Sequence, residues 1–341
     1  MTDPAAPLLC SVIIPARNAA RLLPDCLAAL RRQSLPASAF EILVVDDGST
    51  DNTTEVAREL GATSLTQPPQ GPAAARNHGA RQAQGRILVF TDADCRPEPD
   101  WLRSLLQTLE DETARGVVGV QGCYTTDQTS LIARFAQAEF EDRYDHMRAH
   151  PCIDLVATYS AAYRRDVFLA AGGFDTRFRR ADNEDTEFSY RLLARGHKLA
   201  LAPRAVVRHL HPTSLRAYLG TKFRRGYWRT QVYRLYPGQA IRDRYTTAPV
   251  KLETLTAMAW IVGSLAGLLA LPWLGSGLLA LAQVCPGVLL ALSWPLTRKN
   301  WSKNRRLGLA TPVLSGLRAL ALGCGVLWAI VRPAPGLDAA Q

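Results

Sequence analysis

No charged residue stands between Glu253 and Arg298, a gap of 44 positions in a chain where 21% of residues are charged. Residues before this gap have the mixed composition of a soluble domain, so the 48% hydrophobic content is not evenly spread. Such a composition excludes disorder, collagen-like repeats and coiled coil. Cysteine is also sparse: Cys10, Cys26, Cys95, Cys123, Cys152, Cys285 and Cys324 are scattered, with no C-x-x-C pair. That spacing leaves a zinc site or a disulfide framework without support, and a reducing compartment is the simplest reading. The H-E-x-x-H, G-x-S-x-G, Walker A and G-x-G-x-x-G patterns are all missing, which removes the nucleotide and hydrolase classes they mark. Met1–Leu9 lacks the positive start and apolar core of a secretory signal. The 341 residues suggest about two domains.

A net charge of +10 raises the question of nucleic acid. Its location argues otherwise. Between His211 and Val250 stand Arg216, Lys222, Arg224, Arg225, Arg229, Arg234, Arg242 and Arg244 against the single acid Asp243. Arg298, Lys299, Lys303, Arg305 and Arg306 form a second basic cluster. Both flank the apolar region, where basic residues mark the cytoplasmic side and attract anionic lipid. A membrane surface, not nucleic acid, is the expected partner. Leu255–Leu274 is long enough to cross a bilayer core as a helix. The whole uncharged run, at ~1.5 Å per residue, would extend about 66 Å, so it is expected to fold back through Pro272–Gly277. A second helix over about 276–297, kinked at Pro286, and a third over 307–331 complete two to three spans. Arg318 in the middle of the third must face protein or water. The alternative, a buried helical hairpin in a soluble core, is disfavoured by the paired uncharged runs. The segment KFRRGYWRTQVYRLYP (222–237) mixes arginine with Tyr227, Trp228, Tyr233 and Tyr236. It reads as an interfacial helix, with Arg224, Arg225 and Trp228 facing an acceptor or the membrane surface. A solvated basic helix is the plainer reading.

Upstream, apolar strand-length runs (11–14, 41–45, 63–66, 86–91) alternate with helix-length stretches (20–33, 53–60, 73–84). More strand-like segments follow near 116–121, 155–163 and 198–201. This alternation predicts an α/β fold with a mostly parallel sheet covered by helices. Ligands of such sheets bind at the carboxyl ends of strands. In ILVVDDGSTD (42–51) a strand empties into Asp46 and Asp47, two carboxylates where a capped turn needs one; binding of base or ribose donors is favoured over a bare turn. In ILVFTDADC (87–95) a strand ends at Asp92-Ala93-Asp94. Residues two apart share a side in extended chain, so both carboxylates can converge on a hard divalent cation, Mg²⁺ or Mn²⁺. A D-x-D pair alone is more often a solvated loop; the apolar strand ahead of it tips the reading to metal.

In AGGFDTRFRRADNEDTEFSYRLLARGHK (171–198), Gly172-Gly173-Phe174 is a turn with an apolar plug. Asp182 or Asn183 can cap the helix that follows, and Glu184 and Asp185 suit its dipole. The functional alternative makes Asp185 a general base. Arg76 and Asn77 enter a helix in QGPAAARN (70–77). His209 and His211 lie two apart in RHLH (208–211), and either can complete a divalent site.

From Ser11 to His211 the chain resembles the family 2 glycosyltransferases of GT-A fold. SVIIPARNAARLLPDCLAAL, VVDDGSTD, GPAAARN, FTDADC, GGFD and EDTEFSYRLLARG occur in the family's order and spacing. The resemblance implies a UDP- or GDP-linked sugar donor, a divalent metal and inversion at the anomeric carbon. It places Pro15 and Arg17 beside the nucleoside, Asp47 at the base with Arg76 nearby, and Asp92 at the ribose or metal. Asp94 would hold the ion with His211, or else His209. Asp185, paired with Glu184, would deprotonate the acceptor. Arg17 stands where the family often has an aromatic or small residue. The Q-x-x-R-W motif of processive synthases is missing. The expected organisation is a GT-A domain over 1–210, an interfacial segment over 211–250, membrane helices over 251–332 and a tail over 333–341. The expected protein is a multi-pass enzyme of the inner (plasma) membrane, its catalytic domain cytoplasmic. It would glycosylate a lipid-linked or polyprenyl-phosphate acceptor for cell-surface glycan synthesis. A nucleotidyltransferase and an inactive membrane scaffold are the alternatives.

Overall fold

The computed structural model describes residues 8–178, 183–274, 276–335 and 337. The chain divides into two compact units. One comprises residues up to Asp127 together with Met147–Leu210; the other comprises Gln128–His146 and the chain from His211 onward. The second unit thus takes in a segment lying well before position 211.

The first unit is built on eight strands among the described residues: β1 (Cys10–Ala16), β2 (Phe40–Asp46), β3 (Thr63–Thr66), β4 (Ile87–Thr91), β5 (Cys95–Pro97), β6 (Val117–Thr125), β7 (Ser160–Arg164) and β8 (Lys198–His209). They form one sheet in the order β3-β2-β1-β4-β7-β6-β8-β5. The first four in that order are parallel, with β1 in the middle, as the alternation predicts. Beyond β4 the sheet is mixed, because β7 inserts antiparallel between β4 and β6. Its helices are α1 (Leu23–Arg31), α2 (Thr53–Glu59), α3 (Pro72–Gln82), α4 (Trp101–Asp111), α6 (Arg165–Ala170) and α7 (Glu184–Ala194). The fully buried faces of β1 and β4 explain their unbroken apolar runs. Phe174 is the expected plug, set among Phe90, Phe168 and Phe188 with ring centroids 5.1–5.4 Å away.

The second unit is helical. It contains most of α5 (Leu131–Arg148), followed by α8 (Leu215–Leu235), α9 (Pro237–Arg242), α10 (Ala248–Leu274), α11 (Gly277–Ala282), α12 (Cys285–Lys303) and α13 (Arg305–Val331). Three stretches, Ala248–Pro272, Gly277–Lys303 and Arg305–Val331, are long and apolar enough to cross a membrane. The expected turn at 272–277 includes Gly275, which lies outside the described residues; Pro272 is inside α10. The second helix breaks after Ala282, and Pro286 sits in the first turn of α12, where its missing N–H costs nothing.

Arg318, the charge inside the third apolar stretch, is buried and faces protein. It donates to Glu139 at 2.9 Å and to Glu253. Lys222 and the Tyr218 hydroxyl donate to the same Glu139 carboxylate at 2.8 and 2.9 Å. Burial would raise that carboxyl, yet Lys222 and Arg318 outweigh it and hold it at about 2. Buried charges persist when each has a partner of opposite sign, and removing one leaves the other stranded.

Helices α8 and α13 approach closely through glycine. A Cβ on Gly325 would lie 2.1 Å from the Phe223 carbonyl oxygen, and one on Gly226 would lie 2.4 Å from that of Leu322. Gly316, on the same helix α13, has open space at that position. Gly325→Ala is therefore expected to lower the thermal unfolding temperature of the detergent-solubilised protein by several degrees, while Gly316→Ala leaves it unchanged or raised. Equal tolerance of both changes would show that this helix contact does not hold the unit together.

Candidate functional site

The site is assembled at the carboxyl ends of β1, β2 and β4 in the first unit. The loops after β1 and β2 are cross-linked: the Asn18 amide donates to Ser49 Oγ and the Thr50 amide to Asn18 Oδ1, each at 2.8 Å. Asn18 takes a left-handed conformation (φ 51°) to do so. Pro15 is half-buried near the carboxyl end of β1, and Arg17 is exposed just beyond it.

Asp46 and Asp47 divide their work. Asp46 caps its own turn, accepting from the Ser49 amide at 2.8 Å and from the Thr54 hydroxyl. Asp47 clamps the loop ahead of α3. Its Oδ1 accepts from Gln67 Nε2 and the Gln70 amide, and its Oδ2 from the Gly71 amide, all at 2.8 Å. Both carboxylates are buried. The three donors to Asp47 were not evident from its local sequence.

Arg76 enters from α3 and is the centre of the arrangement. One terminal nitrogen donates to Asp92 Oδ1 and the other to Glu184 Oε1, each at 2.7 Å. The side chain is only 2% exposed. A nucleotide contact was expected of it. Instead the described geometry gives its terminal nitrogens to two carboxylates from segments 92 residues apart in sequence (184 − 92). Its neighbour Asn77 brackets the Gly173 turn, accepting from the Phe174 amide at 2.8 Å and donating to the Phe174 carbonyl at 2.7 Å. A Cβ on Gly173, which has φ +70°, would lie 2.4 Å from Asn77 Oδ1, so only glycine permits this bracket. Arg76 thus ties α3 to the first residue of α7, and Asn77 ties it to the Gly173 turn.

Glu184 and Asp185 open α7. Of the two expected caps, Asp182 lies outside the described residues; Asn183 adopts a left-handed backbone (φ 72°) and accepts from Thr186 Oγ1 at 3.2 Å. Glu184 is buried, and its Oε2 finds no partner among the described residues. Burial, opposed by Arg76 and reinforced by Asp185, pushes its carboxyl up to about 7. Asp185 is half-buried and accepts from the Thr186 amide at 2.7 Å.

Asp92, Asp94 and Cys95 place one donor atom each within 4.8 Å of one another. The cysteine is the weak member: burial, then the charges of Asp94 and Asp92, push its thiol well above the ordinary value. A protonated sulfur does not suit Mg²⁺ or Mn²⁺. A better third donor faces Asp94 from the end of β8, with His209 Nε2 lying 3.5 Å from Asp94 Oδ2. Burial would raise the Asp94 carboxyl, but the hydrogen bond and charge of His209 outweigh it and keep it low. The His209 ring stacks on Tyr124 at 4.3 Å, and Tyr124 on Tyr159 at 3.5 Å. This stack was missed from the sequence, since nothing in Cys123–Thr125 distinguishes Tyr124 from any strand tyrosine. Side-chain exposures of 31% for Asp92, 34% for Asp94 and 17% for His209 leave this donor set open to a ligand. The carboxylate–imidazole chemistry fits a divalent cation.

His211 belongs to the second unit, beyond the end of β8. It is buried, its Nε2 lies 2.9 Å from Gln137 Oε1, and its ring stacks on Phe140 at 5.6 Å. Arg224 and Arg225 are exposed on α8, and Trp228 meets Tyr227 edge-on at 5.2 Å.

A parallel β3-β2-β1-β4 half continued by an antiparallel strand, with a D-x-D pair at its carboxyl edge, defines the GT-A class of folds. The solved mannosyltransferase PcManGT of Pyrobaculum calidifontis, in complex with GDP-Man and Mn²⁺, superimposes with a TM-score of 0.57 at 22% identity, covering 96% of this chain and 91% of that one. Residues 11–170 match the model of glycosyl transferase family 2. It is 32% identical over 203 residues to glycosyltransferase AglE of Haloferax volcanii, covering 56% of this chain and 64% of the relative. It is 28% identical over 291 residues to the pre-mycofactocin glycosyltransferase of Mycobacterium tuberculosis, covering 82% and 56%. The chain thus spans less than two thirds of the length of these relatives.

Two outcomes are expected. His209→Ala should weaken Mn²⁺ binding at least tenfold, measured by calorimetry with a nucleoside diphosphate present, while His211→Ala leaves it unchanged. The reverse order would return the metal role to His211. Separately, the native protein holds a proton on Glu184 that the unfolded chain releases between about pH 4.5 and 7. The Glu184 contribution to stability is therefore present at low pH and lost as pH rises through about 7. The unfolding temperature of Glu184→Gln relative to the parent should climb by several degrees from pH 5 to pH 8. A pH-independent difference would contradict the raised carboxyl.

Proposed function

We propose that the protein is a membrane-bound, inverting, non-processive glycosyltransferase that moves a sugar from a UDP- or GDP-sugar to a lipid-linked or polyprenyl-phosphate acceptor. The observation that carries this reading is Arg76, whose one guanidinium ties Asp92 of the D-x-D turn to Glu184 of the Glu-Asp pair. The donor-side carboxylates and the candidate base are thereby held to one framework. Asp94, Asp92 and His209 would hold the divalent ion. When bound, that ion offsets the charge of the departing diphosphate. Pro15, Arg17 and the loop clamped by Asp47 would receive the nucleoside, so Asp47 shapes the base site through the backbone it holds.

Asp185 takes the proton from the acceptor hydroxyl as that oxygen attacks the anomeric carbon. The bond to the diphosphate breaks, and its electron pair leaves with the nucleotide. Attack opposite the leaving group inverts the anomeric configuration. Glu184 and Arg76 are positioning residues: buried and mutually bonded, they set where Asp185 stands. The three apolar helices and their basic flanks support attachment to the inner (plasma) membrane, with the catalytic unit on the cytoplasmic side and a role in cell-surface glycan synthesis.

The test is a panel of nucleotide sugars supplied to membranes containing the protein, with products identified by mass spectrometry. Asp185→Asn is expected to abolish transfer to a hydroxyl acceptor, by at least a thousandfold, while calorimetry still detects donor binding. Normal turnover by that variant would remove the base assignment. Pyrophosphate release from a nucleoside triphosphate would instead identify a nucleotidyltransferase, and failure to bind any donor would leave a scaffold.

A further inference from the structure

Helix α13, the third apolar stretch, packs lengthwise on a strongly basic helix. Within its 21 residues α8 carries Arg216, Lys222, Arg224, Arg225, Arg229 and Arg234. Near its start, Tyr218 lies in one apolar cluster with Leu307 and Leu314 of α13. Further along, Lys222 and Arg318 share the Glu139 carboxylate. Gly226 and Gly325 then bring the two backbones together, and Arg234 donates to the Ile330 carbonyl at 3.4 Å near the end of both helices. The interval from Lys222 to Arg234 equals that from Arg318 to Ile330. The helices therefore run in the same direction and stay in step over about 18 Å, at the helical rise per residue.

Helices in step share a depth. Were α13 to cross a bilayer, Arg318 would stand at the middle of its 27 residues. The stretch of α8 packed against Leu322 and Gly325 would then lie roughly 6–10 Å from the midplane. Arg224 and Arg225 belong to that stretch and are exposed, so they would face hydrocarbon, where arginine is among the most costly side chains to place. The outer side of α13 points to a different placement. Leu309, Val313, Leu320, Cys324, Trp328 and Val331 follow at steps of three, four or seven residues, which keeps them on one face. Leu309 is 67% exposed and Val331 73%, so this apolar stripe is open from end to end. Exposed cations stand at both ends, Arg305 and Arg306 before the stripe and Arg332 after it. An apolar stripe with basic ends and a basic helix behind it suits the interface between acyl chains and anionic headgroups.

We infer that α13 lies in the plane of the membrane surface, its stripe against the acyl chains and α8 behind it at the headgroups, and that this third stretch is not a span. The partner of the stripe is the anionic lipid leaflet on the side of α8. At the end of α12, Lys299 pairs with Asp142 and Asp145 of α5, and Lys303 with Glu141. The same helix α5 supplies the Glu139 that binds Lys222 of α8. The chain has thus returned to the α8 side before α13 begins, and it remains there afterwards. This placement rests on the membrane attachment proposed above and goes beyond it in assigning α13 to the surface.

The test uses the full chain in vesicles of phosphatidylcholine mixed with phosphatidylglycerol. Nitroxide labels are placed one at a time at Cys324 itself and, with Cys324→Ser, at Leu309→Cys, Leu320→Cys and Val331→Cys. Cys152 and Cys285 are changed to alanine throughout; the other four cysteines are buried and stay unlabelled. Relative accessibility to oxygen and to a water-soluble nickel chelate reports the depth of each label. All four are expected at one shallow depth, about 5–10 Å below the headgroups. A profile deepest at Leu320 and shallow at Leu309 and Val331 would show a span and overturn the placement while leaving membrane attachment intact. Labels in water on a protein that floats with the vesicles would overturn it equally. A protein that does not float with the vesicles at all would refute the attachment and this placement together. In cells, a reporter fused after Gln341 is expected on the same side of the membrane as one fused before Met1. Reporters on opposite sides would mean an odd number of crossings and would also overturn the placement.

Discussion

A single buried cation organises the first unit. Arg76 is surrounded by Asp92, Glu184 and, next along the chain, Asp185, and its burial removes the water that would otherwise stabilise any of them. One guanidinium cannot neutralise three carboxylates, and the imbalance is visible in Glu184, whose carboxyl is pushed up despite an ion-pair contact of 2.7 Å. The outcome is a division of labour. Glu184 stays inside with the arginine, while Asp92 remains partly exposed and Asp185 half-buried. Asn77, one residue on, performs the matching task for the backbone by holding the Gly173 turn.

Much of this was legible in the sequence for reasons of periodicity. A strand that empties into acids identifies its own carboxyl end, so Asp47, Asp92 and Asp94 could be located without coordinates. What strand alternation does not carry is direction: the run Ser160–Arg164 looks the same whichever way it pairs, and its antiparallel insertion makes the sheet mixed. Nor does it carry distance along the chain. Arg76 and Glu184 are 108 positions apart, and only the fold makes them partners.

The two histidines show the limit of a period-two argument. His209 and His211 share a side only while the backbone stays extended, and β8 ends at His209. Past that point the rule lapses, and His211 turns to Gln137. Arg318 was the converse case. Its position inside an apolar run demanded a partner, which elementary solvation energetics foresees, but nothing in the sequence pointed to Glu139, 179 residues away, as that partner.

The segment Gln128–His146 interrupts the first unit in sequence yet folds with the apolar helices, so the backbone passes between the two units at 127–128, at 146–147 and at 210–211. Severing the chain at the last of these junctions would not release a clean water-soluble enzyme. It would strip Phe135 and Glu139 of Tyr218, Lys222 and Arg318, leaving a greasy, charge-stranded helix attached to an otherwise finished sheet. The helices long and apolar enough to cross a membrane are in that sense tied to the middle of the polypeptide as well as to its end.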